Sequence, residues 1–178
     1  MTLVSGPKVW TYDDYLALPN SGQGFEIIDG DLYVMPQPDL WYGEVFSSLI
    51  LALFEPARAA GGHVYFAPLP VVFTPTNVVK PDVWFAAQDD QVRLKDTYIE
   101  GPPTLVIEIQ LDRHYDQVRK RDLYERFGVP EYWVVDLEGK QVDVCWPAAR
   151  TLRAGDTLTT DLLLGLEIDV ETLLAGGE

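Results

Sequence analysis

The chain has 178 residues, 47% of them hydrophobic, which suits one domain spanning the whole sequence around a substantial core. Thirteen Lys and Arg stand against 28 Asp and Glu, a formal net charge of -15, so the average field repels nucleic acid and other polyanions. A single cysteine, Cys145, excludes an intrachain disulfide and a thiolate-rich zinc centre. With no apolar signal core before Trp10 and no apolar run longer than Leu49–Phe54, a soluble cytoplasmic protein is expected.

Thr11 followed three residues later by Asp14 predicts a capped helix that stops near Pro19-Asn20. Phe25–Ile28 and Leu32–Met35 read as strands joined by a tight turn at Asp29-Gly30. Asp39 caps a helix predicted over Leu40–Phe54, weakened at Pro56 and ended by Gly61-Gly62. Three strand-like runs follow, Val64–Phe66, Val71–Phe73 and Val83–Phe85, and Gln88–Gly101 reads as a loop or short irregular helix. Next come a strand over Thr104–Leu111, a helix from about His114 to Phe127 stopped by Gly128 and Pro130, and a strand over Glu131–Asp136. Strand, helix, strand predicts a parallel crossover. Val142–Trp146 is a further strand, and a last helical turn lies near Val170–Leu174. The expected architecture is an α/β mixed sheet flanked by helices.

Chemistry concentrates in the middle of this order. Asp82 opens one β-branched run, and Glu108 sits inside another, where alternation puts Glu108 and Gln110 on one face and Ile107 and Ile109 on the other. A buried carboxylate is costly unless paired. On the following helix Asp116, Lys120 and Tyr124 are four apart and form one ridge that can lie over Glu108. A plain Asp116–Lys120 helical ion pair with a packing tyrosine explains the same spacing, as does a turn role for Asp82 and a solvent-facing strand position for Glu26. Arg113, Arg119, Lys120, Arg121 and Arg126 form a local basic stretch, which the neighbouring Asp112, Asp116, Asp122 and Glu125 can balance. His63 and His114 are too few and too separated for a metal motif.

Taken in order, Glu26-Ile-Ile-Asp-Gly30, Pro81-Asp82-Val83, Val106-Ile-Glu108-Ile109, Asp116 with Lys120 and Tyr124, and Gly128-Val-Pro-Glu-Tyr-Trp-Val-Val-Asp136 resemble the Uma-two family of restriction-endonuclease-like proteins. The resemblance runs from about Thr11 to the C-terminal turn. It implies the PD-(D/E)XK nuclease fold and a magnesium or manganese cofactor. By position, Asp82 and Glu108 resemble the metal-binding acids, and Glu26 resembles an additional acid from an earlier element. The usual D/E-X-K spacing puts lysine at position 110, where this chain has Gln110; Lys120 matches the family's displaced lysine. Tyr42 stands where many members carry histidine.

The expected activity is metal-dependent hydrolysis of DNA phosphodiester bonds, with Asp82 and Glu108 holding the cation, Lys120 offsetting charge and Gln110 orienting water. The alternative is an inactive nuclease fold serving as a binding or assembly module, in keeping with the acidity and Gln110. A homodimer is expected, with Trp10, Trp41 and Trp146 as possible contact surfaces.

Overall fold

The computed structural model describes residues 1–4, 6–19, 23–88, 93–111 and 115–176, and of residues 93, 94, 116 and 117 it describes the backbone. The elements in chain order are β1 (Thr2–Val4), α1 (Tyr12–Leu16), β2 (Phe25–Ile28), β3 (Asp31–Val34), α2 (Leu40–Ala59), β4 (His63–Phe66), β5 (Val71–Thr74), β6 (Asn77–Val79), β7 (Val83–Ala86), β8 (Arg93–Leu94), β9 (Ile99–Glu100) and β10 (Leu105–Ile109). A π-helical turn over Tyr115–Lys120 runs into α3 (Arg121–Arg126), and β11 (Glu131–Asp136), β12 (Gln141–Trp146), β13 (Arg150–Leu152), β14 (Thr157–Leu158), β15 (Ile168–Asp169) and α4 (Val170–Leu173) complete the chain.

The strands build two large sheets rather than the one expected. One has seven strands in the order β1-β3-β2-β6-β5-β9-β8, and the other has six in the order β13-β12-β11-β10-β7-β4. The six-stranded sheet is mixed: β10 runs parallel to β11 and antiparallel to β7, as the predicted crossover requires. The segment read as a loop, Gln88–Gly101, supplies β8 and β9 at the edge of the seven-stranded sheet. These strands are two residues each, too short to carry a periodic signal.

Alternation along the six-stranded sheet gives it two cores. Val83, Phe85, Leu105, Ile107, Ile109, Trp133 and Val135 face α2, which buries Val45, Leu49, Leu53 and Ala57 against them. Trp84, Val106, Tyr132 and Val134 face the other way, toward Leu123 and Tyr124 of α3 and toward Ile28, Tyr33, Val71 and Val79 of the seven-stranded sheet. The second core therefore lies between the two sheets, with the π turn and α3 inside the same layer.

Local chemistry explains most boundaries. Thr11 and Asp14 form the reciprocal capping box at the start of α1, which ends at Leu16, earlier than expected. Asp29 and Gly30 take φ of 52° and 83°, the left-handed pair that a two-residue hairpin between Ile28 and Asp31 requires. The Asp39 carboxylate accepts from Tyr42 N at 2.9 Å, capping α2. That helix passes Pro56 and continues to Ala59 because Ala57 is buried against the sheet and the last turn is closed by Ala60 N donating to Pro56 O at 3.0 Å. Packing outweighs the one amide hydrogen that proline lacks. Trp10, Trp41 and Trp146 are half-buried and pack within the chain; Trp146 Nε1 donates to Val129 O at 2.7 Å. Among the described residues no helix is long and apolar enough to cross a membrane.

Gly62, between α2 and β4, sits where a Cβ would overlap the Ala86 carbonyl oxygen and the Phe85 ring. Gly62→Ala is expected to cost at least about 1–3 kcal/mol of stability, read as a lower urea midpoint with an unchanged slope. A neutral substitution would show that the link between α2 and β4 approaches β7 less closely than described.

Candidate active site

The two sheets are joined where β6 passes into β7 through Lys80-Pro81-Asp82, and the candidate residues gather at this crossing. Lys80 precedes proline and so is held extended, and Pro81 brings no amide hydrogen to be satisfied at the junction. Lys80 N donates to Glu26 Oε1 at 2.6 Å, tying the crossing to β2 in the seven-stranded sheet. Asp82 Oδ2 accepts from Ile109 N at 2.7 Å, tying it to the end of β10 in the six-stranded sheet. Val83 pairs with Ile107, so Asp82 and Glu108 sit one residue further along adjacent strands, where the start of β7 meets the end of β10.

Above this junction lies Lys120, at the end of the π turn. Its Nζ is 2.9 Å from Glu108 Oε1 and 3.1 Å from Glu26 Oε1, and the residue is 0% exposed. Glu26 is 0% and Glu108 1% exposed, so the solvent-facing reading of Glu26 gives way to full burial. The second core lies against the face of β2 that carries Glu26 and Ile28, and so covers the side an isolated hairpin would leave wet. Lys120 pairs with acids of both sheets rather than forming only a ridge ion pair; the side chain of Asp116 lies outside the described residues.

Three tyrosine hydroxyls complete the cluster. Tyr42, on the first turn of α2, donates to Asp82 Oδ1 at 2.6 Å. Tyr115 donates to Glu26 Oε2 at 2.7 Å and Tyr124 to Glu108 Oε1 at 2.6 Å. Charge-assisted bonds of this length are the strong class. Burial, then the Glu108 and Glu26 carboxylates, push the Tyr124 hydroxyl well above its usual value near 10, so it is a neutral donor at ordinary pH. Sequence reasoning placed Tyr124 on the ridge and flagged Tyr42, but missed Tyr115, which an α-helical reading turns away from Lys120.

Gln110 follows β10, half-buried, with its backbone N donating to Val135 O at 2.8 Å. Two residues beyond Glu108, it belongs to the same sheet face. Of the basic stretch, Lys120 is buried, Arg119 and Arg121 are exposed, and Arg126 makes a bidentate pair with Asp29. Arg113 and His114 lie outside the described residues. His63 is exposed on β4, apart from the cluster. Cys145 borders a hollow of about 450 Å³ with Arg121, Asp143 and Arg150, which includes none of the candidate acids. Burial pushes its thiol up to about 11, so it is no nucleophile at neutral pH.

The residues present suit a hard divalent cation. Asp82 and Glu108 offer carboxylate oxygens from adjacent strands, and no cysteine or histidine joins the described cluster. Glu26 and Glu108 share one ammonium and Asp82 adds a third carboxylate at the junction, a donor set that suits such a cation. Among the described residues no three His, Cys, Asp or Glu side chains converge on one metal position. Two carboxylates with the remaining positions left to water and substrate oxygens is an ordinary magnesium arrangement.

Tyr124→Phe removes one buried donor to a carboxylate and is expected to cost about 1.5–3 kcal/mol in urea denaturation. Because the native hydroxyl ionises well above 10, the stability difference should hold constant between pH 6 and 9. Above about pH 10, where the unfolded tyrosine ionises, the wild-type chain alone loses stability through this group, so the difference should narrow. A difference that widens there would contradict the assignment.

Comparison with known proteins agrees with this reading of the fold. A family model, Uma2, described as "Putative restriction endonuclease", matches residues 12–171. A crystal structure from Anabaena variabilis ATCC 29413, described as "a putative nuclease belonging to DUF820", superposes with a TM-score of 0.74 at 17% sequence identity, covering 92% of this chain and 97% of that one. Comparison with curated proteins returned no match. The structural likeness carries the fold, a restriction-endonuclease-like α/β arrangement of mixed sheet and flanking helices. With nearly its whole length matched, the chain belongs to the Uma2 family of restriction-endonuclease-like proteins.

Proposed function

We propose that the chain is a metal-dependent endonuclease that hydrolyses phosphodiester bonds of DNA. The observation that carries this reading is the buried Lys120 ammonium held 2.9 Å from Glu108 and 3.1 Å from Glu26, beside Asp82, in a chain of this family. Asp82 and Glu108 would hold Mg2+ or Mn2+, which when bound supplies charge stabilisation to the phosphate and acidity to water.

The protein's own groups do the rest. Lys120 offers a cation fixed before substrate arrives, which offsets charge developing on the phosphate without reorganisation. Gln110 contributes an amide at the usual lysine position, able to orient the attacking water through hydrogen bonds but not to supply charge. Glu26, 3.1 Å from the ammonium, holds Lys120 aimed at the junction. Tyr42 holds one oxygen of Asp82 and Ile109 N the other, so the carboxylate is oriented before a cation binds.

A second reading, a nuclease fold retained as a binding or assembly module, draws on the net charge of -15 and on Gln110. Calorimetric titration with Mg2+ and Mn2+ separates the two, because an assembly module needs no cation at Asp82 and Glu108. The endonuclease reading predicts heat of binding that Asp82→Ala abolishes.

Incubated with DNA of several forms and Mg2+ or Mn2+, the native chain is expected to cleave, and Asp82→Ala to lose cleavage. No cleavage by the native chain, or equal cleavage by the variant, would reject the proposal. Lys120→Met is expected to lower turnover at least about 100-fold, the scale of one lost electrostatic donor, while Mn2+ affinity stays comparable. It should also destabilise by about 3–5 kcal/mol, since two carboxylates lose their shared partner in the interior.

A further inference from the structure

The helix that delivers Lys120 changes its winding on the way. Tyr115–Lys120 is π-helical, and α3 continues from Arg121 in the α form. In an α-helix a separation of five residues is a rotation of roughly 500°, which leaves the two side chains about 140° out of line. In a π-helix, whose hydrogen bonds join residues five apart, those two residues lie one turn above each other. Tyr115 and Lys120 are five apart, and both reach Glu26: the hydroxyl to Oε2 at 2.7 Å and the ammonium to Oε1 at 3.1 Å. Beyond Lys120 the α spacing takes over, and Tyr124, four residues on, reaches Glu108. The turn accommodates one residue more than an α-helix would, and so sets one tyrosine on each acid that shares the ammonium.

We propose that this π turn is a built-in register shift, and that Tyr115 is a positioning residue that acts on Lys120 through Glu26. Glu26 is held at both oxygens, Oε1 by Lys80 N at 2.6 Å and Oε2 by the Tyr115 hydroxyl. Held so, it offers Lys120 one oxygen and shares the ammonium with Glu108. Without the hydroxyl, Oε2 is a buried anionic oxygen deprived of this donor, and rotation toward Lys120 is its available compensation. That rotation draws the ammonium toward the seven-stranded sheet and away from Glu108. The Tyr115 ring is 2% exposed and packs on Tyr33 with centroids 4.8 Å apart, so the hydroxyl is aimed by packing. The functional half of the inference rests on Lys120 being the site's working charge, as proposed above.

Chemical denaturation tests the register shift without reference to any activity. Tyr115→Phe keeps the ring and should lower the folding equilibrium constant at least about tenfold. In Tyr115→Phe/Asp116→Tyr the hydroxyl moves to the position that an α-helical register would place over Lys120, and no recovery is expected. Deleting Gln117 leaves the tyrosine four residues before the lysine, so an ordinary α-helix restores the alignment and the chain should stay folded. Deleting Asp122 from α3, which has no residue to spare, should be far more damaging. Full recovery in the double variant, or equal damage from the two deletions, would overturn the shift.

Tyr115→Phe should also reduce DNA turnover about tenfold while Mn2+ affinity by calorimetry stays within about twofold, a split expected of a group acting through Lys120. Affinity and turnover falling together, or unchanged turnover, would overturn the positioning role. A native chain that cleaves no DNA would sink the endonuclease reading instead, and the denaturation series would still decide the shift.

Discussion

One buried ammonium organises the centre of this protein. Lys120 is sealed from solvent and stands between Glu26 of the seven-stranded sheet and Glu108 of the six-stranded sheet. Taking three charged groups from water is expensive, and attraction offsets that cost only when geometry is good and remaining lone pairs are satisfied. Here the satisfaction is explicit: Lys80 N and two tyrosine hydroxyls donate to the same two carboxylates. An arrangement with so many partners from separate elements tolerates little sliding of one sheet against the other. The apolar layer around it, built from Trp84, Val106, Tyr132 and residues of both sheets, supplies the burial that the charged cluster lacks.

The same geometry gives the site its asymmetry. Asp82 stands at the crossing between the sheets, braced by Tyr42 from α2 and by Ile109 N from β10, while Glu108 is braced by Lys120 and Tyr124. Each acid is thus fixed by a tyrosine from a different helix, on opposite faces of the six-stranded sheet. Preorganisation of this kind fixes oxygen positions in advance, which is what a cation site and a developing phosphate charge both need. On the proposed reading, stability and chemistry draw on the same contacts, so substitutions at the cluster report on both.

Much of this was legible in the sequence, and the parts that were not have particular causes. Alternation within Leu105–Ile109 separates Glu108 from the core residues on either side, because a strand buried on both faces still has a period of two. The capping box at Thr11, the hairpin at Asp29-Gly30 and the stop at Gly128 are local rules with local physics, and they appear where expected. The burial of Glu26 was hidden because a hairpin pattern reveals which side is apolar, not that another layer will cover the polar side. β8 and β9 were hidden because strands of two residues are too short to show a period. Tyr115 was missed because a ridge drawn at α spacing from Lys120 passes through position 116, and nothing in that spacing announces a π turn.

The most direct measurement is anomalous diffraction from crystals of the native chain grown with Mn2+. The account predicts a manganese peak bonded to carboxylate oxygens of both Asp82 and Glu108, with the Lys120 ammonium still within hydrogen-bond reach of Glu108. A peak elsewhere, or none at that pair under conditions that saturate the protein in solution, would contradict it.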